Sequence, residues 1–425
     1  MLDIRQLRKD PDLVRQRLAL RDESLASVVD EILAFDEQRR NAETEKQKLQ
    51  GDRKRISKEI GAARQAGEDT SEIEAKVRGI GDEIEALDEK VREADTAQRE
   101  RLLATPNLPH AECPVGADES ANPEIRVWGE KPDVVDPKDH VTLGTELGML
   151  DFEAGAQLSG SGFVVFRGMG ARLERALIQF LLDLHTTEHG YEEVNPPFLI
   201  GRDCMTGTGQ LPKFEDDMYG LPADDLFLAP TAEVPVTNLE RDRIVPFEDL
   251  PIRYAAYTPC FRREAGSAGR ESKGLIRMHQ FDKVELVQIV EPEKSFEILE
   301  ELTAHAEKVL QLLGLHYRTI ELCTGDIGFS AAKTYDIEVW APGHGAYLEV
   351  SSCSCFGDYQ ARRMNLRYKD EEGKNQTPHT LNGSGVALPR LFVALIETYQ
   401  QPDGSIRIPE ALVPYFHAEV IPAKS

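Results

Sequence analysis

Ile73, Val77, Ile80, Ile84, Leu87, Val91 and Ala94 recur at alternating steps of four and three residues. That mean spacing of 3.5 winds one helix onto another. A second series with the same steps runs through Val28, Ile32, Phe35, Arg39, Ala42, Lys46, Leu49, Arg53, Ile56, Ile60 and Ala63, with a cation at three seam positions. Between the two lie Gly67 and a run of turn formers, with Ser71 as the expected N-cap, so the pattern predicts an antiparallel helical hairpin over residues 28–101. At 1.5 Å per residue the arm should be about 54 Å long.

The pattern then breaks. Residues 105–140 hold six prolines and are read as a linker, which divides the chain into an N-terminal domain (1–104) and a second domain (141–425). In the latter a helix is predicted near residues 172–189, stopped by Gly190, and another over 294–313. Strand-like segments fall at 254–264, 276–289, 317–322, 335–340 and 347–353. Because most of them follow one another without an intervening helix, the second domain is read as α+β with an antiparallel sheet flanked by helices.

Charge changes this picture in one place. The 425-residue chain carries a net charge of −25, which excludes a generally basic coat for nucleic acid and leaves room only for a local patch. Residues 39–64 supply one: nine cations (Arg39, Arg40, Lys46, Lys48, Arg53, Lys54, Arg55, Lys58, Arg64) against four acids, on a projecting arm where a polyphosphate would bind. No apolar run reaches the roughly 18 residues of a membrane helix, and the charged N-terminus does not read as a signal peptide, so a cytoplasmic protein is expected. Six cysteines without a Cys-x-x-Cys are read as buried thiols.

No P-loop and no Gly-x-Gly-x-x-Gly occurs, so any phosphate must be held by side chains. Strand alternation shows which ones could serve. Arg262 and Glu264 would share one face; so would Arg277, His279, Phe281, Lys283 and Glu285; and Thr231 and Glu233 would point together. A face that mixes guanidinium, aromatic and carboxylate groups suits a planar base, a phosphate and an ammonium group.

Three segments carry a family resemblance. Gly190-Tyr-Glu-Glu-Val-Asn-Pro-Pro197, then Phe261-Arg-Arg-Glu264 with His279-Gln-Phe-Asp-Lys-Val-Glu285, then Gly383-Ser-Gly-Val-Ala-Leu-Pro-Arg390 resemble, in order, motifs 1, 2 and 3 of the class II aminoacyl-tRNA synthetases. With Thr231-Ala-Glu233, Glu349-Val-Ser-Ser352 and the helical hairpin, the resemblance narrows to the bacterial-type seryl-tRNA synthetases. It implies a homodimeric ligase that uses ATP and Mg²⁺ to charge tRNA(Ser) with L-serine, with tRNA(Sec) as a possible second acceptor. It further implies catalytic roles for Arg262, Glu264 and Arg390, and a serine site of Thr231, Ala232, Glu233, Arg262, Glu285 and Ser384. The implied ATP site comprises Arg262, Arg263, Glu264, Phe281, Glu349, Val350, Ser351, Ser352 and Arg390, with the metal on Glu349 and Ser352. The tRNA would meet the arm's cations together with Arg270 and Lys273.

Two points stay open at this level. Which of Glu233 and Glu285 takes the serine ammonium and which the hydroxyl is not fixed. Strict alternation pairs Glu349 with Ser351, so Ser352 reaches a metal only if the strand bulges or ends. A rival pattern, His185-Thr-Thr-Glu188-His189, matches a metallopeptidase spacing, but Gly190 places it in a helix's last turn, where histidine is favoured for its own sake. The other rival, a synthetase-like module used only for binding, is disfavoured by the presence of Arg262, Glu285 and Arg390 together.

Overall fold

A computed structural model describes residues 1–265 and 273–424. It separates into two compact units, Leu2–Pro106 and Asn107–Ser425. In the first, helices α1 (Ile4–Lys9) and α2 (Pro11–Ala19) precede a long antiparallel pair, α3 (Val28–Gln65) and α4 (Ser71–Leu103). The seam is apolar near the tip, where Ile56, Ile80 and Ile84 are buried with Leu49, Ile60, Ile73 and Val77 packed around them. Thr70, not Ser71, stands at the N-cap of α4; Ser71 is already helical and its N–H is taken by Asp69 Oδ1 at 3.0 Å.

The cations on the seam are matched by acids. Lys46 Nζ lies 2.6 Å from Glu43 and 3.0 Å from Asp88 on α4, and Arg39 reaches both Asp36 and Asp95. Asp36 is fully buried and receives Arg8 on both oxygens at 2.7 Å and Arg40 at 2.9 Å. Burial alone would raise its pKa, but the hydrogen bonds from Arg8, Gln98 and Arg40 outweigh that and hold it at about 2.

The second unit is built on an eight-stranded sheet. Its strands are β1 (Glu124–Trp128), β2 (Glu192–Glu193), β3 (Ile252–Phe261), β4 (Gln280–Val290), β5 (Tyr317–Glu321), β6 (Lys333–Ala341), β7 (Ala346–Cys355) and β8 (His379–Ala387), in the order β1-β5-β6-β7-β8-β4-β3-β2. All neighbours are antiparallel except β2 and β3. Helices α5 (Met169–Thr187), α6 (Ser295–Leu312) and α7 (Leu388–Thr398) bury their apolar stripes in the main core with Leu286, Ile337, Val339 and Leu381 of the strands. The opposite face is left for polar chemistry.

Three strands of this sheet were not visible in the hydrophobic pattern. β1 lies inside the proline-rich stretch, β2 has two residues, and β8 reads His-Thr-Leu-Asn-Gly-Ser-Gly-Val-Ala, poor in strand formers although it sits mid-sheet. Gly383 explains part of that composition: a Cβ there would lie 2.3 Å from Leu302 Cδ2. The strand before motif 3 therefore trades propensity for close approach.

Two irregularities shape the polar face. Ile337 pairs with Ser351 but Glu338 pairs with Glu349, so Val350 is the extra residue of a bulge in β7. Opposite β4, the register moves from Glu285↔Ser384 to Lys283↔Ala387, and Val386 lies there with φ of 105°, a strained value for a β-branched residue.

Candidate active site

A cavity of about 710 Å³ opens on this face. Of the residues singled out in the sequence, Thr231, Glu233, Arg262, Glu264, Phe281, Glu349, Val350, Ser352, Ser384 and Arg390 line it. Arg262 and Arg390, 128 positions apart in sequence, therefore share one chamber.

Strand β3 ends at Phe261, so the alternation expected across 254–264 does not extend to Arg262 and Glu264. The chain leaves the sheet here, with Glu264 at φ 53°, yet both side chains still enter the cavity. Arg262 N–H donates to His279 O at 2.9 Å, and its guanidinium lies 5.3 Å from the centre of the Phe281 ring. Arg277 Nη1 donates to Glu264 Oε2 at 2.5 Å and also lines the cavity. Strand β4 begins only at Gln280, and His279 does not join the shared face; its ring stacks on Phe163 instead, with centroids 5.3 Å apart. Met278, which strict alternation from Arg277 would put on the opposite face, also lines the cavity.

Arg390 sits in the first turn of α7, beside Pro389. Its Nη1 donates to the backbone carbonyl of Glu349 at 2.7 Å and lies 3.4 Å from Glu349 Oε2, so the guanidinium is braced against β7. The Val350 bulge answers the alternation problem: Glu349 and Ser352 both face the cavity, while Ser351 is buried and donates to Ser384 O at 2.6 Å. Asp336, opposite Ser352 on β6, keeps a buried Oδ1 with no hydrogen-bond partner, and burial and the charge of Glu349 push its pKa up.

The cavity floor is acidic and buried. Glu285 is buried and does not itself border the open space; its Oε1 accepts from Asn382 Nδ2 at 2.8 Å and its Oε2 from Thr231 Oγ1 at 3.2 Å, with Lys283 ion-paired beside it. Glu233 opens the helical turn Glu233–Thr237, not a strand, and accepts from Gln360 Nε2 at 2.7 Å. Burial first, then the charge of Glu285, push Glu233 up to about 7. An isolated buried carboxylate costs several kcal/mol, so a cation is the natural occupant of this floor.

The remaining residues stand off. Ala232 is buried in a small apolar cluster with Val236, Ala256 and Val287, and Arg263 contributes an N–H to Asp217 O while its side chain is exposed. Arg270 lies outside the described residues, and Lys273 is ion-paired to Asp139 at 3.0 Å. Arg277 and Lys283, grouped on the candidate face from the sequence without individual roles, both line the cavity, whereas Asn382 and Gln360 carried no signal in the sequence pattern. His185 and His189 turn their Nδ1 atoms on each other at 2.9 Å, and burial, then the neighbouring His189, bring His185 down to about 3.

Comparison with known proteins decides the family. Residues 1–109 match the Seryl-tRNA synthetase N-terminal domain, and 213–399 match the tRNA synthetase class II core domain (G, H, P, S and T). The chain is 68% identical to the serine–tRNA ligase of Akkermansia muciniphila over 99% of both chains. The chain belongs to the seryl-tRNA synthetases. It is 54% identical to the serine–tRNA ligase of Laribacter hongkongensis, over 98% of this chain and 97% of that one. The crystal structure of seryl-tRNA synthetase from Pyrococcus horikoshii complexed with ATP superposes with a TM-score of 0.95 at 38% identity, covering 100% of each chain. The activity is that of a serine–tRNA ligase, with ATP as the co-substrate.

On the arm, a depression of about 500 Å³ is lined by Gln50, Arg53, Lys54, Ser57, Lys58 and Ile84. Among the described residues, Lys48, Arg53, Lys54 and Lys58 form no ion pair, whereas Arg39, Arg40, Lys46, Arg55 and Arg64 each have an acidic partner.

Proposed function

We propose that this cavity performs both half-reactions of serine transfer. In the first, a serine carboxylate oxygen attacks the α-phosphorus of ATP, the bond to the β-phosphate oxygen breaks, and pyrophosphate leaves. In the second, the 3′-terminal hydroxyl of the tRNA attacks the seryl carbonyl and AMP leaves. Arg262 holds the α-phosphate and offsets the charge that develops there, Arg390 holds the γ-phosphate, and the Phe281 ring supports the adenine with Glu264 at its edge. Thr231, Glu233, Glu285 and Ser384 receive the ammonium and hydroxyl of serine. Buried acceptors built for that hydroxyl penalise alanine by leaving polar groups unpaired. Arg263, Ala232, Val350 and Ser351 act by holding the backbone and neighbouring side chains in place. The observation that carries this reading is the convergence of Arg262, Arg390, Glu349, Ser352 and the acidic floor on one cavity.

Glu349 and Ser352 line the cavity with a carboxylate and a hydroxyl, and Asp336, opposite Ser352, adds an unpartnered buried oxygen, a donor set that fits Mg²⁺. Bound there, Mg²⁺ would neutralise phosphate charge. The arm binds the long variable arm of tRNA(Ser), chiefly through Lys48, Arg53, Lys54 and Lys58, and tRNA(Sec) would present a similar arm. A homodimer is consistent with the edge strand β1, which exposes Val127 and Trp128. No described helix is long and apolar enough to cross a membrane, and we place the protein in the cytoplasm.

Exchange of labelled pyrophosphate into ATP tests the first half-reaction. Exchange should require serine, proceed without tRNA, and fall about 10²–10³-fold in Arg262→Ala. Exchange supported equally by alanine, or undiminished in Arg262→Ala, would overturn the assignment.

A further inference from the structure

The ammonium of Lys283 already holds two atoms assigned to reading the amino acid. Its Nζ donates to Thr231 Oγ1 at 2.9 Å and is ion-paired with Glu285 Oε2, with the two charged side chains 7% and 0% exposed. Asn382 occupies the other Glu285 oxygen, so both oxygens are engaged before substrate arrives. Residues 283 and 285 project from the same face of β4, and Lys283 also borders the cavity.

We propose that Lys283 is a positioning residue of the serine pocket: it fixes Glu285 and Thr231 as acceptors and supplies one buried countercharge to a floor of two carboxylates, so that, with Arg262 given to the phosphate, the pocket draws in the substrate's ammonium. The inference rests on the reading of this floor as the serine site. Without Lys283, Glu233 and Glu285 would keep only the more distant charge of Arg262, which the proposed reading gives to the α-phosphate, and two such carboxylates share a proton. Serine would then have to displace that proton. The pressure is already visible in Glu233, which Glu285 helps to raise and Lys283 helps to lower.

The other groups facing this floor do not titrate with it. From β3 comes Cys260, whose thiol burial pushes up, and from the segment just after it Arg262, permanently charged; from β7 comes Cys353, raised by burial to about 12. Gln360 and Asn382 are neutral amides. A pH dependence of serine binding that changes with Lys283 therefore reports on the two glutamates.

The test is the KM for serine in pyrophosphate exchange from pH 6 to 9, for the wild type, Lys283→Met and the double variant Lys283→Met/Glu285→Gln. For Lys283→Met we expect KM for serine to rise roughly tenfold or more at pH 7 and to recover as pH increases, with the midpoint of the limb about one unit or more above wild type. KM for ATP should stay within about twofold. The double variant, with a single carboxylate left, should bring the midpoint back down whatever its absolute KM. A KM for serine raised by the same factor at every pH, or a midpoint unmoved in the double variant, would make Lys283 a packing residue and overturn the proposal. Unchanged KM for serine with altered KM for ATP would show instead that the floor is not the serine pocket.

Discussion

At the residue scale the buried charges fall into two groups. Glu233 and Lys283 border the cavity, Glu285 is paired with Lys283 beneath it and Asp336 lies opposite Ser352, so all four belong to the candidate site. Glu174 does not: it sits on α5, buried, with Oε2 unpartnered, and burial followed by the nearby Asp282 raises it to about 8. Its stability effect has the opposite sign to that of a salt-bridged carboxylate. Below its ordinary pKa of 4.5 both states hold the proton and nothing is lost; between 4.5 and about 8 only the unfolded chain ionises, so stability declines as pH rises and stays low above 8. Glu174→Gln should therefore raise the melting temperature at pH 9 by several degrees, a gain that fades toward pH 4.5. A gain that grows toward acid pH would contradict the assignment. Asp36 runs the other way: held at about 2 by its arginines against the pull of burial, it stabilises the first unit above its ordinary pKa and loses that contribution only as pH falls toward 2.

At the element scale, the sequence was most readable where periodicity was long. The 3.5-residue step locates the two arm helices because each repeat adds apolar contact along one seam, and the structure places Ile56, Ile80 and Ile84 there. The same seam misled at single positions: Lys46 fits the basic stripe by composition, yet it is held between Glu43 and Asp88. Only contact between helices reveals which cations are already spent. This leads to a prediction for the arm. Replacing Arg53, Lys54 and Lys58 with glutamine should raise KM for tRNA, lower the slope of log K against log salt by about two to three, and leave serine-dependent pyrophosphate exchange unchanged. Equal loss of exchange would count against the arm's role, and Lys46→Gln should affect the arm's stability before it affects tRNA.

The strands were harder. β8 escaped because a mid-sheet strand built around Gly383 and Gly385 offers no alternation; at Gly385 a Cβ would lie 2.9 Å from His185 Nε2. Site residues at the ends of β3 and β4 were found by residue type, although the alternation used to group them stops at Phe261 and starts again at Gln280. The Val350 bulge was legible only as a conflict, two residues needed on one face at an odd spacing, and a backbone irregularity is what resolves such a conflict.

Across the whole molecule, charge divides the labour. A net charge of −25 disfavours RNA over the chain as a whole, and the +5 stripe of residues 39–64 is the place proposed for it to bind. In the second unit a largely antiparallel sheet buries its helix-covered face and opens a cavity lined by charged side chains on the other, so in the proposed reading side chains meet the phosphates where other nucleotide folds use a glycine-rich loop. In the proposed function Arg262 and Arg390 grip the nucleotide while the carboxylate floor below takes serine. Calorimetric titration with a non-hydrolysable seryl-adenylate mimic measures both grips at once. The wild type should bind it tightly, Arg262→Ala should lose at least about a hundredfold in affinity, and the arm triple variant should match the wild type. Equal binding of the alanyl analogue, or wild-type affinity in Arg262→Ala, would contradict the account.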